Sequence, residues 1–227
     1  MASSDRSGKR VDSGLPPTGL RERKKQRTRD AIQREAMRLF TEQGYDETTI
    51  EQIAEAADIS PSTFFNYFPT KEDVVLADRY DPMFVSMFLD RPAGEPLSVT
   101  LRSVLIEGLG TAIEQDREMI LARSRLILAV PALRARVMGD LERSQKLFCE
   151  VLAERMSRRP DDFDLRVVTM VTISALFEAT QEWVRRDGRD PIVDLVRRAL
   201  DLIDAGGRLD ALESSATGRS RPGAAAG

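Results

Sequence analysis

Histidine is absent from the 227-residue chain, and cysteine occurs once, at Cys149. Without an imidazole there is no Ser-His-Asp or Cys-His nucleophile and no His-containing metal site, so acid-base chemistry would fall to carboxylates, Lys or Tyr. One thiol excludes an intrachain disulfide, a CxxC redox pair and a structural zinc site, and fits a reducing compartment. No metal and no cofactor is expected. Long apolar runs are also missing. The longest strongly apolar stretch free of charge, Val167 to Phe177, is far short of the ~18 residues that cross a bilayer, and no apolar segment follows the early basic residues. The expectation is a cytoplasmic protein, neither exported nor inserted in a membrane.

What is present is an ordinary globular composition, 41% hydrophobic and 31% charged, of a length that suits two modest cores. The net charge of -3 hides a strong asymmetry. Residues 1–30 hold nine Lys or Arg against four Asp or Glu, net +5, and the remainder holds 25 against 33, net -8. Met1 to Gly19 and Glu213 to Gly227 are rich in small, polar and charged residues and are expected to be disordered tails.

Between the tails apolar residues recur at helical spacing, with no alternating strand pattern and no Asn-Gly hairpin, so the chain is expected to be all α. A first helix is read from about Arg21 to Gln43, with Ile32, Ala36, Leu39 and Phe40 on one face and Gly44 as its stop. Thr48 with Glu51 and Thr49 with Gln52 both fit a capping box for a short second helix. Asp58 and Ile59 make a tight connection to Ser60, an N-cap, and Pro61, suited to the first helical position. This third helix should end near Phe68-Pro69. Thr70 with Asp73 then caps a fourth through KEDVVLADRY, which Pro82 kinks or breaks. Longer helices are placed near 96–115, 117–129, 131–157, 161–186 and 190–205, with Gly206-Gly207 as terminator.

Two short helices joined by a tight turn, the second opening with small polar residues, form the pattern of a helix-turn-helix. Phe64 and Phe68 would face inward, leaving Ser62, Thr63, Asn66 and Tyr67 outward. Asn can read adenine and the Thr methyl can meet a thymine methyl, whereas Tyr67, Thr49 and Lys71 suit phosphates. The run Arg21, Arg23, Lys24, Lys25, Arg27 and Arg29 suits a phosphate backbone or a minor groove. Glu42 to Asp58, with six acidic residues and no basic one, should face away from DNA.

The stretch FTEQGYDETTIEQIAEAADISPSTFFNYFPTKEDVV resembles the DNA-binding domain of TetR-family transcriptional repressors over roughly Arg27 to Tyr80. The resemblance implies a homodimer with a helix-turn-helix domain (20–80) and a larger helical domain (81–212) that binds an inducer and dimerises through its last two helices. A symmetric dimer calls for a pseudo-palindromic double-stranded DNA operator. Asp58 stands where the family usually has glycine, which Asp tolerates by visiting the left-handed region, and Phe65 stands where Tyr is frequent. The candidate DNA interface is therefore Arg27, Thr49, Ser60, Pro61, Ser62, Thr63, Phe65, Asn66, Tyr67 and Lys71.

In the C-terminal half, LARSRLILAVPALRARV (121–137) resembles a segment of TetR-family regulators that respond to acyl-CoA-like ligands. Outside that segment, Met83, Phe84, Met87, Phe88, Met119, Met138, Phe148, Met170 and Phe177 offer the flexible and flat surfaces of an apolar pocket. The candidate ligand-lining residues are Met87, Phe88, Leu105, Leu109, Arg123, Ile127, Phe148, Met170, Ile173 and Phe177, with Arg123, Arg125, Arg134 and Arg136 available for phosphates. Cys149 reads as inert packing. The competing function is a small helical enzyme acting on an acyl or aromatic substrate through Glu178 and Glu182, one turn apart on a helix.

Overall fold

The computed structural model describes residues 19–77 and 79–204, and those residues form helices and connections with no strand. Apart from Gly19, the tails expected over 1–19 and 213–227, and the Gly206-Gly207 stop, lie outside the described residues. Helix α1 (Leu20–Gln43) buries Ile32, Ala36, Met37 and Phe40 and ends at Gly44, whose φ of 93° explains the glycine. Of the two capping candidates, Thr49 caps α2 (Ile50–Ala56) in a reciprocal box with Gln52. Thr48 is instead buried, donating to the Gly44 carbonyl at 2.7 Å. The turn passes through Asp58 at φ 53°, the left-handed conformation expected there. Helix α3 (Pro61–Tyr67) starts behind Ser60, whose hydroxyl accepts from the Thr63 amide at 3.1 Å.

Helix α4 (Lys71–Leu76), capped by Thr70 and Asp73, is shorter than the sequence suggests, and Pro82 does not break it. The chain turns extended at Ala77, and Pro82 sits in the first turn of a separate helix, α5 (Asp81–Leu89), where a missing N–H costs nothing. The physical reason lies in other helices. Gln33 of α1 donates to the carbonyls of Val74 (3.0 Å) and Ala77 (2.8 Å), and Arg123 donates to Ala77 at 2.9 Å. Side chains thus satisfy the carbonyls that a continuing helix would have used.

Helix α6 (Leu97–Ala129) joins the two helices expected at 96–115 and 117–129, but its backbone leaves helical geometry at Asp116 (φ -143°, ψ 36°). Pro131 opens α7 (Pro131–Met156), Asp162 caps α8 (Phe163–Arg185), and α9 (Ile192–Asp204) follows. Three apolar clusters hold the fold. One joins α1–α4 to Leu133 of α7, a second surrounds Trp183 with residues of α6, α8 and α9, and a third gathers Phe88, Val104, Cys149, Leu152 and Leu165. Because Leu133 is completely buried beneath the first four helices, α6 and α7 form the floor on which they rest.

Candidate functional site

Phe64 and Phe68 are buried, with ring centroids 6.0 Å apart, and fix α3 against α1 and α2. That orientation leaves Pro61, Ser62, Phe65 and Asn66 exposed and Thr63 half-buried. The hydroxyls at the start of α3 are drawn together: Ser60 Oγ lies 2.8 Å from Ser62 Oγ and 2.9 Å from Thr63 Oγ1. The N-terminal end of α3 is thus a small, uncharged, hydroxyl-bearing surface that another backbone can approach closely. Thr49 is exposed at the N-terminal end of α2, its oxygen accepting from the Gln52 amide. Tyr67 is partly buried against the core, less outward than the sequence suggests, and Arg27 is exposed on α1.

Lys71 stands apart from this group. Its ammonium donates to the carbonyls of Tyr45 (2.8 Å) and Thr48 (3.0 Å) and lies 4.2 Å from the Tyr45 ring centroid. It stitches α4 to the loop before α2. The Tyr45 hydroxyl in turn donates to Glu72 at 2.9 Å, and burial together with that carboxylate pushes the phenol well above its ordinary pKa. Burial works against the charged Glu72, yet its own backbone N–H and the Tyr45 and Thr70 hydroxyls outweigh it and hold the carboxyl below its usual range.

Beneath these helices is a cavity of about 250 Å³ among α1, α5, both arms of α6, α7 and α8. Its walls are mainly apolar, including Phe84, Leu109, Met119, Ile127 and Phe177. One edge is polar. At the break in α6, Asp116 accepts a short hydrogen bond from the Tyr80 hydroxyl and pairs with Arg79 at 3.0 Å. Gln33 and Arg123, the two side chains that hold Ala77, line the same space.

Of the ligand residues read from the sequence, Leu109, Arg123, Ile127 and Phe177 line this cavity. Leu105, Phe148 and Ile173 border a separate cleft of about 20 Å³, room for a single water. Phe88 is buried in the third cluster with Met87 packed on it, and half-buried Met170 borders neither space. Tyr80, Arg79, Asp116 and Gln33 were not foreseen; the one signal for them was the expected helix boundary at residue 116. The four arginines do not converge. Arg125 pairs with Asp187, Arg136 with Asp73 (3.1 Å) and Asp140 (3.4 Å), Arg134 is exposed, and only Arg123 reaches the cavity. Glu178 accepts from Gln181, and hydrogen bonds from Arg186 and Arg185 hold the Glu182 carboxyl below its ordinary range, the opposite of a poised general acid.

A helix-turn-helix presenting a hydroxyl-rich helix end, seated on a helical body with an apolar cavity, defines a DNA-binding transcriptional regulator. The comparisons agree. Residues 32–77 match the family described as "Bacterial regulatory proteins, tetR family", and residues 95–208 match the "MftR C-terminal domain". The HTH-type transcriptional regulator TcmR of Streptomyces glaucescens is 36% identical over 180 residues, 76% of this chain and 80% of that protein. The FadR repressor of Thermus thermophilus, solved in complex with lauroyl-CoA, is 26% identical at a TM-score of 0.54, covering 88% of this chain and 99% of its own. The fatty acid degradation regulator FadR from Bacillus halodurans superposes at a TM-score of 0.57 with 21% identity, over 85% of this chain and 99% of its own. The chain belongs to the TetR family of transcriptional regulators; it is not an enzyme. No helix among the described residues is long and apolar enough to cross a membrane.

Proposed function

We propose that the protein is a homodimeric repressor that leaves a pseudo-palindromic operator when a small, mainly apolar molecule fills the cavity. The observation that carries this reading is the shared wall: Gln33 and Arg123 line the cavity and also hold the Ala77 carbonyl at the end of α4. In the complex, Ser62, Thr63 and Asn66 face base edges. Thr49, Ser60 and Tyr67 contact phosphates, Pro61 and Phe65 pack close to the sugar-phosphate backbone, and Lys71 positions the turn. The junction between the two functional units lies at 77–81.

Dimerisation uses α8 and α9, where Phe163, Val167 and Val171 form an exposed apolar row one turn apart. The cavity exceeds the ~150 Å³ that takes a benzene and falls just below the ~300 Å³ typical of drug-sized sites. A compact apolar body fits directly, and a long acyl chain must displace wall side chains. An acyl-CoA thioester is the ligand suggested by the sequence resemblance and by the lauroyl-CoA complex of the Thermus relative.

The test is titration of the operator complex with acyl-CoA thioesters of increasing length beside the matching free acids. Release that strengthens with chain length, and is weakened when Ala112 in the cavity wall is replaced by Phe, supports the reading. No release by any thioester removes the acyl-CoA assignment. Sedimentation of Val171→Asp as a monomer beside a native dimer supports the α8 interface.

A further inference from the structure

We propose that the first two turns of α1 form a rigid cationic spoke that binds DNA phosphates flanking each half-site, outside the segment that reads the operator. The inference rests on the DNA-binding reading and extends it to residues that precede the family match at 32–77. Residues 20–31 are helical and continuous with the buried part of α1, so the basic run is not a loose arm. Arg21, Arg23, Lys24, Lys25 and Arg27 are all exposed, and among the described residues none of these side chains has an ion-pair or hydrogen-bond partner. Arg134, Lys146, Arg166, Arg189 and Arg198 also lack a side-chain partner among the described residues, but they are scattered along the chain, and Arg38, Arg79, Arg91, Arg102, Arg136 and Arg186 are each paired with a carboxylate; five unpaired cations within seven residues occur in α1. The acid at Asp30 neutralises none of the five; it accepts instead from the neutral amide of Gln26 at 2.8 Å.

Two physical arguments point this cluster at a polyanion. Cations at a helix N-terminus oppose the macrodipole, and the five cations outnumber the one acid of residues 20–27, Glu22, so the stretch keeps a net charge of +4 that a polyanion would offset. The geometry supplies a direction. Arg29 places its guanidinium 4.5 Å from the Phe68 ring centroid and donates to the Tyr67 carbonyl at 3.4 Å, which anchors α1 beside the C-terminal end of α3. From Arg29 back to Arg21 the helix extends roughly 12 Å at ~1.5 Å per residue. With α3 in the major groove, that length carries the cations past the recognition helix to the neighbouring backbone. A rigid helix with cations around most of its circumference suits phosphate tracking and not insertion into a minor groove.

The experiment compares the full chain with R21Q/R23Q/K24Q/K25Q/R27Q, in which Gln preserves helix propensity, and with the charge-conserving R21K/R23K/R27K. Binding to one operator, carried with A·T-rich and with G·C-rich flanks, and to nonspecific DNA is measured across a salt series. Each lost phosphate contact lowers the slope of log K against log salt by ~0.9, so even one contact per protomer gives about 1.8 units per dimer. The expected result is a slope reduced by at least that amount for the Gln variant, an operator-to-nonspecific affinity ratio within about twofold of native, and a native slope for the Lys variant. A Gln variant with native slope overturns the proposal while leaving operator binding by α3 intact. Loss confined to A·T-rich flanks, or loss in the Lys variant, also overturns it, since both indicate minor-groove reading by arginine. Loss of all sequence preference in the native chain would fail the DNA-binding reading itself.

Discussion

Replacing Lys71 by Met removes a charge while keeping most of the aliphatic stem, and it separates two roles for this side chain. If the ammonium works inside the fold, the substitution deletes two charge-assisted hydrogen bonds, to the carbonyls of Tyr45 and Thr48, and the contact with the Tyr45 ring. Hydrogen bonds to charged groups contribute ~1.5–3 kcal/mol and a partly exposed cation–π contact ~0.5–1 kcal/mol. Lys71 is half-buried and water reaches part of the site, so a total of about 2–3 kcal/mol is the working value. Native-state hydrogen exchange reads this locally: protection of α1–α4 amides should fall roughly 30- to 150-fold, with α8 and α9 unchanged. Operator affinity should fall with it, at an unaltered salt slope. Unchanged exchange, with a salt slope lowered by about 1.8 units per dimer, would return Lys71 to the phosphates and refute the positioning role.

Three further outcomes follow from local geometry. A Cβ at Gly108 would lie 2.5 Å from Cε1 of Phe84, a ring that also borders the cavity, so Gly108→Ala should push the ring into that space. The expected cost is ~1–3 kcal/mol, and xenon occupancy of the cavity in crystals should fall. Glu95, hydrogen-bonded by Arg91 and Thr100, has its carboxyl held down at about 2. Because the folded value is depressed, its stabilising contribution is present above the unfolded value near 4.5 and is lost as pH falls towards 2; NMR titration of the Glu95 carboxyl should return to the ordinary range in Arg91→Gln. A double-mutant cycle with Arg136→Ala and Asp73→Asn should show only ~0–1 kcal/mol of coupling in stability, both groups being partly exposed, but a several-fold change in the effector concentration that releases DNA. An unchanged release midpoint would remove this pair from the signalling route.

The helix-turn-helix was legible because its signals are local. Thr49, Asp58, Ser60, Pro61 and Thr70 act within three or four residues of the amides and turns they control, so spacing alone identifies them. The end of α4 was not legible, because its carbonyls are taken by Gln33, 41 and 44 positions away, and by Arg123, 46 positions away. The cavity was only half readable for the same reason. Apolar residues such as Leu109, Ile127 and Phe177 follow from composition and helical face, but nothing local separates them from Phe88 and Met87, which pack in the third cluster, or from half-buried Met170, which borders neither space. Lys71 carried a phosphate-binding expectation because an exposed lysine and one folded onto carbonyls look alike in sequence.

The short α4 also sets the scale of regulation. Its first turn belongs to the DNA-binding side, through Lys71 on the Tyr45 and Thr48 carbonyls and Glu72 on the Tyr45 hydroxyl. Its end belongs to the cavity side, through Gln33 and Arg123 on Ala77, and Asp73 ties it to α7 through Arg136. With six residues, α4 has no interior turns to absorb a displacement, so a shift at Ala77 is carried to Lys71. Under the proposed function, a ligand that draws Arg123 or Gln33 towards itself strips a partner from a backbone carbonyl. Because the Ala77 carbonyl accepts from both side chains, losing one donor leaves it paired, whereas losing both leaves it unsatisfied at a cost of ~1–3 kcal/mol; coupling free energies between effector and target sites also span ~1–3 kcal/mol, or about 5- to 150-fold in affinity. Displacement of both donors from Ala77 is therefore enough to drive release without reorganising either core. A ligand that fills the cavity but leaves both contacts in place should bind without moving the DNA equilibrium, because it has no preference between the two states.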